Sequence, residues 1–308
     1  MRNEREPPAA DGIPSALRSP RPALSVVVPS HSRPDLLTLC LTSLARFAPA
    51  GTEVIVVDDG SRGGCVSRAA AAFAGVAVVR RPKAGGFCAA ANAGIEAASG
   101  QVVQLLNDDA EVTGGWADAA LRWFADPRVA AVAPLVLQID PERRARGLPP
   151  LVDTAGDEYD PGGFAVKRGH NTAASFPPGP VFGASGCAAF YRRAAVRAAG
   201  GFPEHFGAYF EDIDLSFRLR RAGGEIVFDP AAVVWHRVSA SYGRRPSRRT
   251  LERQSCNEER VFWRNVRGRQ LARHLPRHGA VLVGKALRRL QEGNFLPWLL
   301  GRLRAALG

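Results

Sequence analysis

Five short apolar runs, each separated from the next by a helix-length segment, constrain this chain more than any other feature. They occupy residues 24–29 (LSVVVP), 53–57 (EVIVV), 76–79, 102–106 and 129–137. Val and Ile are stiff at χ1 and pack well on a pleated surface. Mostly apolar runs without regular polar alternation read as strands, the first of them buried. Between the first two, Ser32-Arg33-Pro34-Asp35 reads as a helix start with Ser as cap and Pro in the first turn. Leu36, Leu37, Leu39, Cys40, Leu41 and Leu44 then give that helix a broad apolar face. Residues 69–73 read as a helix, Gly85-Gly86-Phe87 opens an Ala-rich helix through Ala98, and residues 116–124 form another. Strands alternating with helices predict an α/β fold: a mostly parallel, doubly wound sheet flanked by helices.

The alternation stops at residue 140. Residues 140–180 are rich in Pro, Gly and charge, and predict loops with a hairpin over the sheet edge. Order returns with a small-residue strand at 183–191 (GASGCAAFY) and a short helix at 193–199. An amphipathic helix over 211–222 stops at Gly223-Gly224, and two short strands follow at 225–228 and 233–235. The predicted organisation is a leader over 1–22, a catalytic-sized α/β domain over 23–240, and a helical tail over 241–308. The leader has Pro, Arg and Glu without an apolar core segment, so it reads as a disordered stretch and not a signal peptide.

Charge separates body from tail. The net charge is +12, but residues 237–308 carry seventeen Lys and Arg against four Glu, leaving the first 236 residues within one charge of neutral. The overall basicity is therefore no argument for nucleic-acid binding. Residues 281–290 and 295–307 are apolar with Lys285, Arg288, Arg289, Arg302 and Arg304 interleaved. Such helices suit an anionic membrane surface, or else a helical pair packed on the body with a solvated basic face. No run is long and apolar enough to span a bilayer. The five Cys are odd in number and none is spaced CxxC, which points to a reducing, cytoplasmic compartment and away from disulfides or structural zinc.

The chemistry is concentrated in acids at strand and helix ends. Asp58-Asp59-Gly60-Ser61 follows the second strand, and Asn107-Asp108-Asp109 follows the fourth. Strand ends of an open α/β sheet are where such folds bind ligands. Carboxylates converging there repel one another unless a cation joins them, so the pattern predicts a divalent metal, Mg²⁺ or Mn²⁺, with a diphosphate bound through it. Asp58 and Asp59 are equal candidates for hydrogen bonds to a base or ribose. His236, after a Val-Val-Trp run, offers an imidazole to the metal, or is a core histidine. Glu211-Asp212-Ile213-Asp214 opens a helix, where acids complement the dipole; one facing the cleft could also serve as a general base.

In order along the chain stand PSHSRPD, VIVVDDGS, GGFCAAANAGI, LLNDDAEV, GASGCAAFYRR, GGFPEHFGAYFEDIDLSFRLRRAGGEIVFDP and WH. This series, covering about residues 24 to 240, resembles family-2 glycosyltransferases, most of all the bacterial rhamnosyl- and galactofuranosyl-type members. The resemblance implies a GT-A fold and inverting transfer from a UDP- or dTDP-sugar. It implies that Pro29, His31, Asp58 and Asp59 line the nucleoside pocket, with Asn92 and Asp108 also on the donor side. Asp109 would be the metal-binding acid and His236 the metal-side histidine. Asp212 would be the general base beside Glu211. With the basic, apolar tail on a membrane, the acceptor would be a polyprenyl-linked glycan at the inner face of the cell membrane; a soluble acceptor, such as a glycoside or peptide, is the alternative. Asn107 stands where the family often has Asp, and Lys83-Ala84-Gly85 replaces an Asn usually found before Gly-Phe.

Two other classes are open to a chain of this pattern. A nucleotidyltransferase on a similar sheet expects a Gly-rich, basic phosphate loop after the first strand, where this chain has Pro29-Ser30-His31-Ser32-Arg33. A catalytically silent membrane-surface module expects no intact set of Asp109, Asp212 and His236.

Overall fold

A computed structural model describes residues 23–238 and 246–307. The predicted leader and the first residues of the predicted tail lie outside these. The chain builds β1 (Leu24–Ser30), α1 (Pro34–Phe47), β2 (Glu53–Asp58), α2 (Cys65–Ala71), β3 (Val76–Arg80), α3 (Phe87–Ala97) and β4 (Val102–Leu105). Then come β5 (Ala110–Val112), α4 (Trp116–Leu121), β6 (Val129–Gln138), α5 (Pro141–Ala145), β7 (Val152–Thr154), β8 (Asp157–Asp160), β9 (Phe164–Lys167), β10 (Gly179–Pro180) and β11 (Phe190–Arg192). Last are α6 (Arg193–Ala198), α7 (Glu211–Arg221), β12 (Glu225–His236), α8 (Arg248–Asn265), α9 (Gly268–Gln291) and α10 (Phe295–Leu307).

The main sheet runs β10-β12-β6-β11-β4-β1-β2-β3, with β5 added to β12 and β7 to β6. β3, β2, β1 and β4 are parallel neighbours, as are β6 and β12, while β11 is inserted antiparallel between β4 and β6. Every residue of β1 is buried. Its period-two alternation divides the core. Val27 joins Ile55, Val57, Val103 and Leu105 beneath α3 and α7, whereas Val26 and Val28 join Val56, Val102 and the apolar face of α1 on the other side. The central strands are thus covered on both faces, whereas β3, at the edge of the sheet, is largely exposed despite its apolar run.

Several elements differ from expectation for identifiable reasons. α1 begins at Pro34 with Arg33, not Ser32, at the cap position and with no side-chain cap, since a guanidinium offers no acceptor to the first N–H groups; it pairs instead with Asp108 and Asp109. The strand expected over 183–191 survives only as β11, since Gly and Ala offer little surface to pack and the preceding small residues run as a loop into the cleft. The two strands expected at 225–228 and 233–235 are one strand, β12, whose register against β6 shifts between Asp229 and Val233. Pro230, which has no N–H for the ladder, lies inside that irregularity. The hairpin expected within 140–180 is present as β8–β9.

The C-terminal helices pack on the body. Val261 of α8 is fully buried in the same cluster as Phe206, Ile213 and Phe228. α10 crosses α8 so closely that a Cβ on Gly301 would stand 2.3 Å from the Glu252 carbonyl oxygen. Among the described residues no helix is long and apolar enough to cross a membrane.

Candidate functional site

From β1 the chain steps outward to β2 and β3, then returns to lay β4 on the other side of β1. The order of strands therefore reverses between β1 and β4, a topological switch point at their carboxyl ends, the place where open α/β sheets hold ligands. A cleft of about 1060 Å³ opens there, and Pro29, His31, Asp59, Asp108, Asp109, Glu211, Asp212 and His236 all line it. Of the residues predicted from sequence, Asp58 and Asn92 are not brought to it. Asp58 is fully buried and accepts hydrogen bonds from the Ser61 N–H (2.8 Å), the Ser67 N–H (3.2 Å) and the Ser67 hydroxyl, which ties β2 to the start of α2. Asn92 bridges α3 to the loop after α6: its Nδ2 donates to the Phe202 carbonyl (2.9 Å) and its Oδ1 accepts the Phe202 N–H (2.8 Å).

Asp59 faces the cleft and shapes it. Its carboxylate accepts the N–H groups of Gly85 (3.0 Å) and Gly86 (2.8 Å) and pairs with Arg81. The turn is tight: Gly60 has φ +66°, and a Cβ there would stand 2.5 Å from the Ala84 backbone nitrogen. His31 Nδ1–H donates to the Asp59 carbonyl (2.7 Å), which leaves Nε2 for the cleft. Asp108 accepts the Ser30 hydroxyl (2.7 Å) and pairs with Arg33. Burial outweighs both partners and pushes its carboxyl up to about 6.

Asp109 behaves differently although its neighbour has nearly the same address. Burial again pushes its carboxyl up, but His236 and Arg33 outweigh burial and hold it below the ordinary value. Its Oδ2 accepts Arg33 at 2.8 Å, while its buried Oδ1 closes no hydrogen bond and lies 3.2 Å from His236 Nε2. On the far side, His236 Nδ1–H donates to Asp153 Oδ2 at 3.0 Å. An imidazole anchored by a carboxylate on one nitrogen, with the other turned to a second acid, is how proteins orient a histidine ligand. An orphaned carboxylate oxygen beside an anchored imidazole suits a divalent ion that accepts O and N donors. Asp153, Cys187 and His236 also bring ligand atoms within 4.8 Å of one another. That grouping is a poorer fit, because Lys167 Nζ already holds Asp153 (2.9 and 3.0 Å) and burial pushes the Cys187 thiol up to about 12.

The opposite wall begins at α7. Asp212 Oδ2 accepts the Gly186 N–H (3.0 Å) from the small-residue loop, and Oδ1 accepts the Ile213 N–H (2.9 Å). Burial raises its pKa, against the pull of those two N–H groups. Glu211 is raised further, by burial and by the Asp212 charge, and its Oε2 has no hydrogen-bond partner. Asp157 is pushed up to about 8 by burial and by Asp212. The segment leading to Asp212 is strained: Tyr209 and Phe210 have φ of +75° and +64°, a left-handed conformation costly for aromatic residues. The buried Asn257 of α8 holds it, its Nδ2 reaching the carbonyls of Phe206, Ala208 and Tyr209 at 2.9–3.0 Å. Asp214 is fully buried behind this wall, accepting Arg218 (2.9 Å), Arg264 (3.1 Å) and Asn265 (3.0 Å), so it locks α7 to α8.

Sequence reasoning missed Arg33, Asp153, Asp157, Lys167 and Asn257. Asp153 and Asp157 carried a readable signal: two acids four apart in an otherwise turn-like stretch, VDTAGD. Asn257 carried none, since nothing in a basic helix marks which amide turns inward.

Residues 25–200 match the model of the Glycosyl transferase family 2. The chain belongs to that family. Among its relatives, a pre-mycofactocin glycosyltransferase of Mycobacterium tuberculosis is 32% identical over 218 residues, 69% of this chain and 42% of the relative. This family member thus spans less than half the length of that protein. An N-acetylglucosaminyl-diphospho-decaprenol L-rhamnosyltransferase of the same organism is 30% identical over 247 residues, 73% of this chain and 79% of the relative. Among solved structures, the mannosyltransferase PcManGT from Pyrobaculum calidifontis, in complex with GDP-Man and Mn²⁺, shares the fold at a TM-score of 0.59 and 18% identity. It covers 98% of this chain and 91% of its own. GalNAc-T7 with UDP, GalNAc and Mn²⁺ aligns at a TM-score of 0.61 and 19% identity, over 78% of this chain and 47% of its own. The α/β architecture with a helical C-terminal part is the GT-A fold of these glycosyltransferases.

Proposed function

We propose that this family 2 protein is an inverting glycosyltransferase that moves a sugar from a UDP- or dTDP-sugar to a hydroxyl of a glycan or polyprenyl-linked acceptor. The observation that carries the reading is one cleft with two unlike walls. Asp109 and His236 stand at the sheet end, and Asp212 at the start of α7 carries a carboxyl held above its ordinary pKa. Asp109 and His236 would hold Mg²⁺ or Mn²⁺, which neutralises the donor diphosphate as the nucleotide leaves. His31 Nε2, Pro29 and Asp59 would shape the nucleoside pocket, with Asp108 beside them. Asp58 and Asn92 support that pocket from behind.

Asp212 then takes the proton from the acceptor hydroxyl as its oxygen attacks the anomeric carbon. The C–O bond to the diphosphate breaks, and the configuration inverts in a single displacement. A raised pKa suits this task, because a base matched to ambient pH accepts a proton more effectively than an ordinary Asp. Asp153 keeps His236 in one tautomer, and Gly186 N–H fixes Asp212 in rotamer. The relative named for a diphospho-decaprenol acceptor supports a lipid-linked acceptor here, and with such an acceptor would go a cell-envelope polysaccharide role and a cytoplasmic, peripheral location at the membrane.

The experiment is a screen of nucleotide sugars with Mn²⁺ and simple glycoside or lipid-linked acceptors, analysing both products. Release of a nucleoside diphosphate with an inverted glycoside is expected. Release of a sugar 1-phosphate, with the nucleoside monophosphate carried to the acceptor, would instead identify nucleotidyl transfer, and no turnover with any sugar nucleotide would favour a silent module.

A further inference from the structure

α9 is a long helix with little to cover it. Of its 24 residues only His278 is buried, and Val283, Leu287 and Leu290 stand exposed at helical spacing. α10 repeats the pattern with Leu296, Leu300, Leu303 and Leu307. These seven side chains are between 41% and 89% exposed, and large apolar side chains exposed in such number on consecutive helices mark a docking site. Neither helix contains an Asp or Glu, and by helical periodicity Arg269 and Arg273 fall on the same side of α9 as Val283 and Leu287. Other cations here are partly answered: Arg277 pairs with Asp160, Lys285 with Glu258, Arg288 and Arg289 with Glu292, and Arg304 with Glu252. Residues 246–307 still hold fourteen Lys and Arg against four Glu.

The geometry points to this exposed α9–α10 face as a docking surface for an anionic phospholipid bilayer, which holds the cleft mouth at headgroup level. Neither helix can cross the bilayer, so the face lies on it, with Leu and Val among acyl chains and Arg269 and Arg273 among phosphates. The same two helices line the cleft from their inner side, through Lys285, Arg288 and Arg289 of α9 and Trp298 of α10. A membrane on the outer face therefore sits next to the site. A second copy of the chain is the poorer occupant. A two-fold contact would set α9 against α9, with like charges opposed and no acid in either helix to answer them. Only the link to a lipid-borne acceptor rests on the proposed transferase activity; the docking itself needs neither donor nor metal.

The test is co-sedimentation of the full chain with vesicles of phosphatidylcholine alone or of phosphatidylcholine with phosphatidylglycerol. Wild type should prefer the anionic vesicles, and added salt should weaken that binding. The triple variant Leu287→Glu, Leu296→Glu, Leu303→Glu should lose binding by roughly tenfold or more while keeping its melting temperature and its turnover of a soluble acceptor. If that variant fails to fold, Arg269→Glu with Arg273→Glu alters charge alone and should weaken anionic binding by roughly tenfold. Equal partitioning onto both vesicle types, undiminished binding by the variants, or a wild-type dimer that the triple variant separates would overturn the proposal. Vesicle binding without turnover in any acceptor assay would instead count against the transferase reading and leave the docking surface standing.

Discussion

The cleft has two walls, and they are held by different means. On the sheet side, Ser30, Asp59 and Asp109 stand at or just beyond the ends of parallel strands, so the hydrogen-bond ladder itself fixes where they start. On the helix side, Asp212 follows a left-handed Tyr209–Phe210 pair and depends on contacts from far along the chain: Gly186, Asn257 and the Asp214 cluster. A wall built on strand ends tolerates the loss of one side chain. A wall built on a strained turn is only as accurate as its clamps.

The largest expected effect lies on the helix side. Asp212→Asn keeps size and hydrogen-bonding capacity but removes the base, so transfer should fall by about a thousandfold. Donor binding, measured by equilibrium titration, should be nearly unchanged. A fall of less than tenfold would move the base elsewhere in the cleft.

Next is Asn257→Ala. It removes the donor from the Ala208 and Tyr209 carbonyls and one of two from the Phe206 carbonyl, which keeps the Ala208 N–H (2.8 Å), and should cost about 1–3 kcal/mol of stability. Because the clamp acts through the turn before Asp212, kcat should fall roughly tenfold with KM for the donor little changed. Asn257→Asp, which offers acceptors where donors are needed, should be at least as harmful. If both parameters stay at wild-type values, the strained turn holds itself and the contrast between the walls fails.

Smaller effects concern pH. Asp157 sits at about 8 in the folded protein, above its ordinary value of 3.8. A raised folded-state pKa means the native state binds the extra proton, so this contribution to stability is full below about 4 and is lost as pH rises through 8. Asp157→Asn should flatten that decline, as read from melting temperatures across the range. An unchanged slope would assign the pH dependence to other groups. The Asp212 carboxyl is also raised, so the acidic limb of the rate profile should lie above that of an ordinary Asp, with activity rising as the base ionises.

The same contrast explains what could be read in advance. β1, β2 and β4 were legible because short runs rich in Val, Ile and Leu have one good use, a buried strand, and the acids after β2 and β4 followed; β3 was legible by the same run although it stands exposed at the edge. Asp109, Asp212 and His236 were legible as cleft residues for that reason and by resemblance. Asp58 and Asp59 were not separable, since both follow the same strand and only the folded turn shows that one points inward to Ser61 and Ser67. Lys167 was hidden in an irregular stretch whose path is set by packing across the sheet edge, and Asp153, marked only by its spacing from Asp157, had no partner that the sequence could name. Asn257 was hidden because its role depends on a turn fifty residues earlier, a relation that no local pattern expresses.

The central claim is that the sheet wall binds and the helix wall reacts. One measurement tests it directly: thermal stabilisation by the preferred nucleotide sugar with Mn²⁺, compared among wild type, Asp109→Ala and Asp212→Asn, with turnover followed in the same samples. The account predicts that Asp109→Ala loses the metal-dependent stabilisation, while Asp212→Asn keeps it and shows no turnover. Stabilisation lost equally in both variants, or turnover retained in Asp212→Asn, would contradict it.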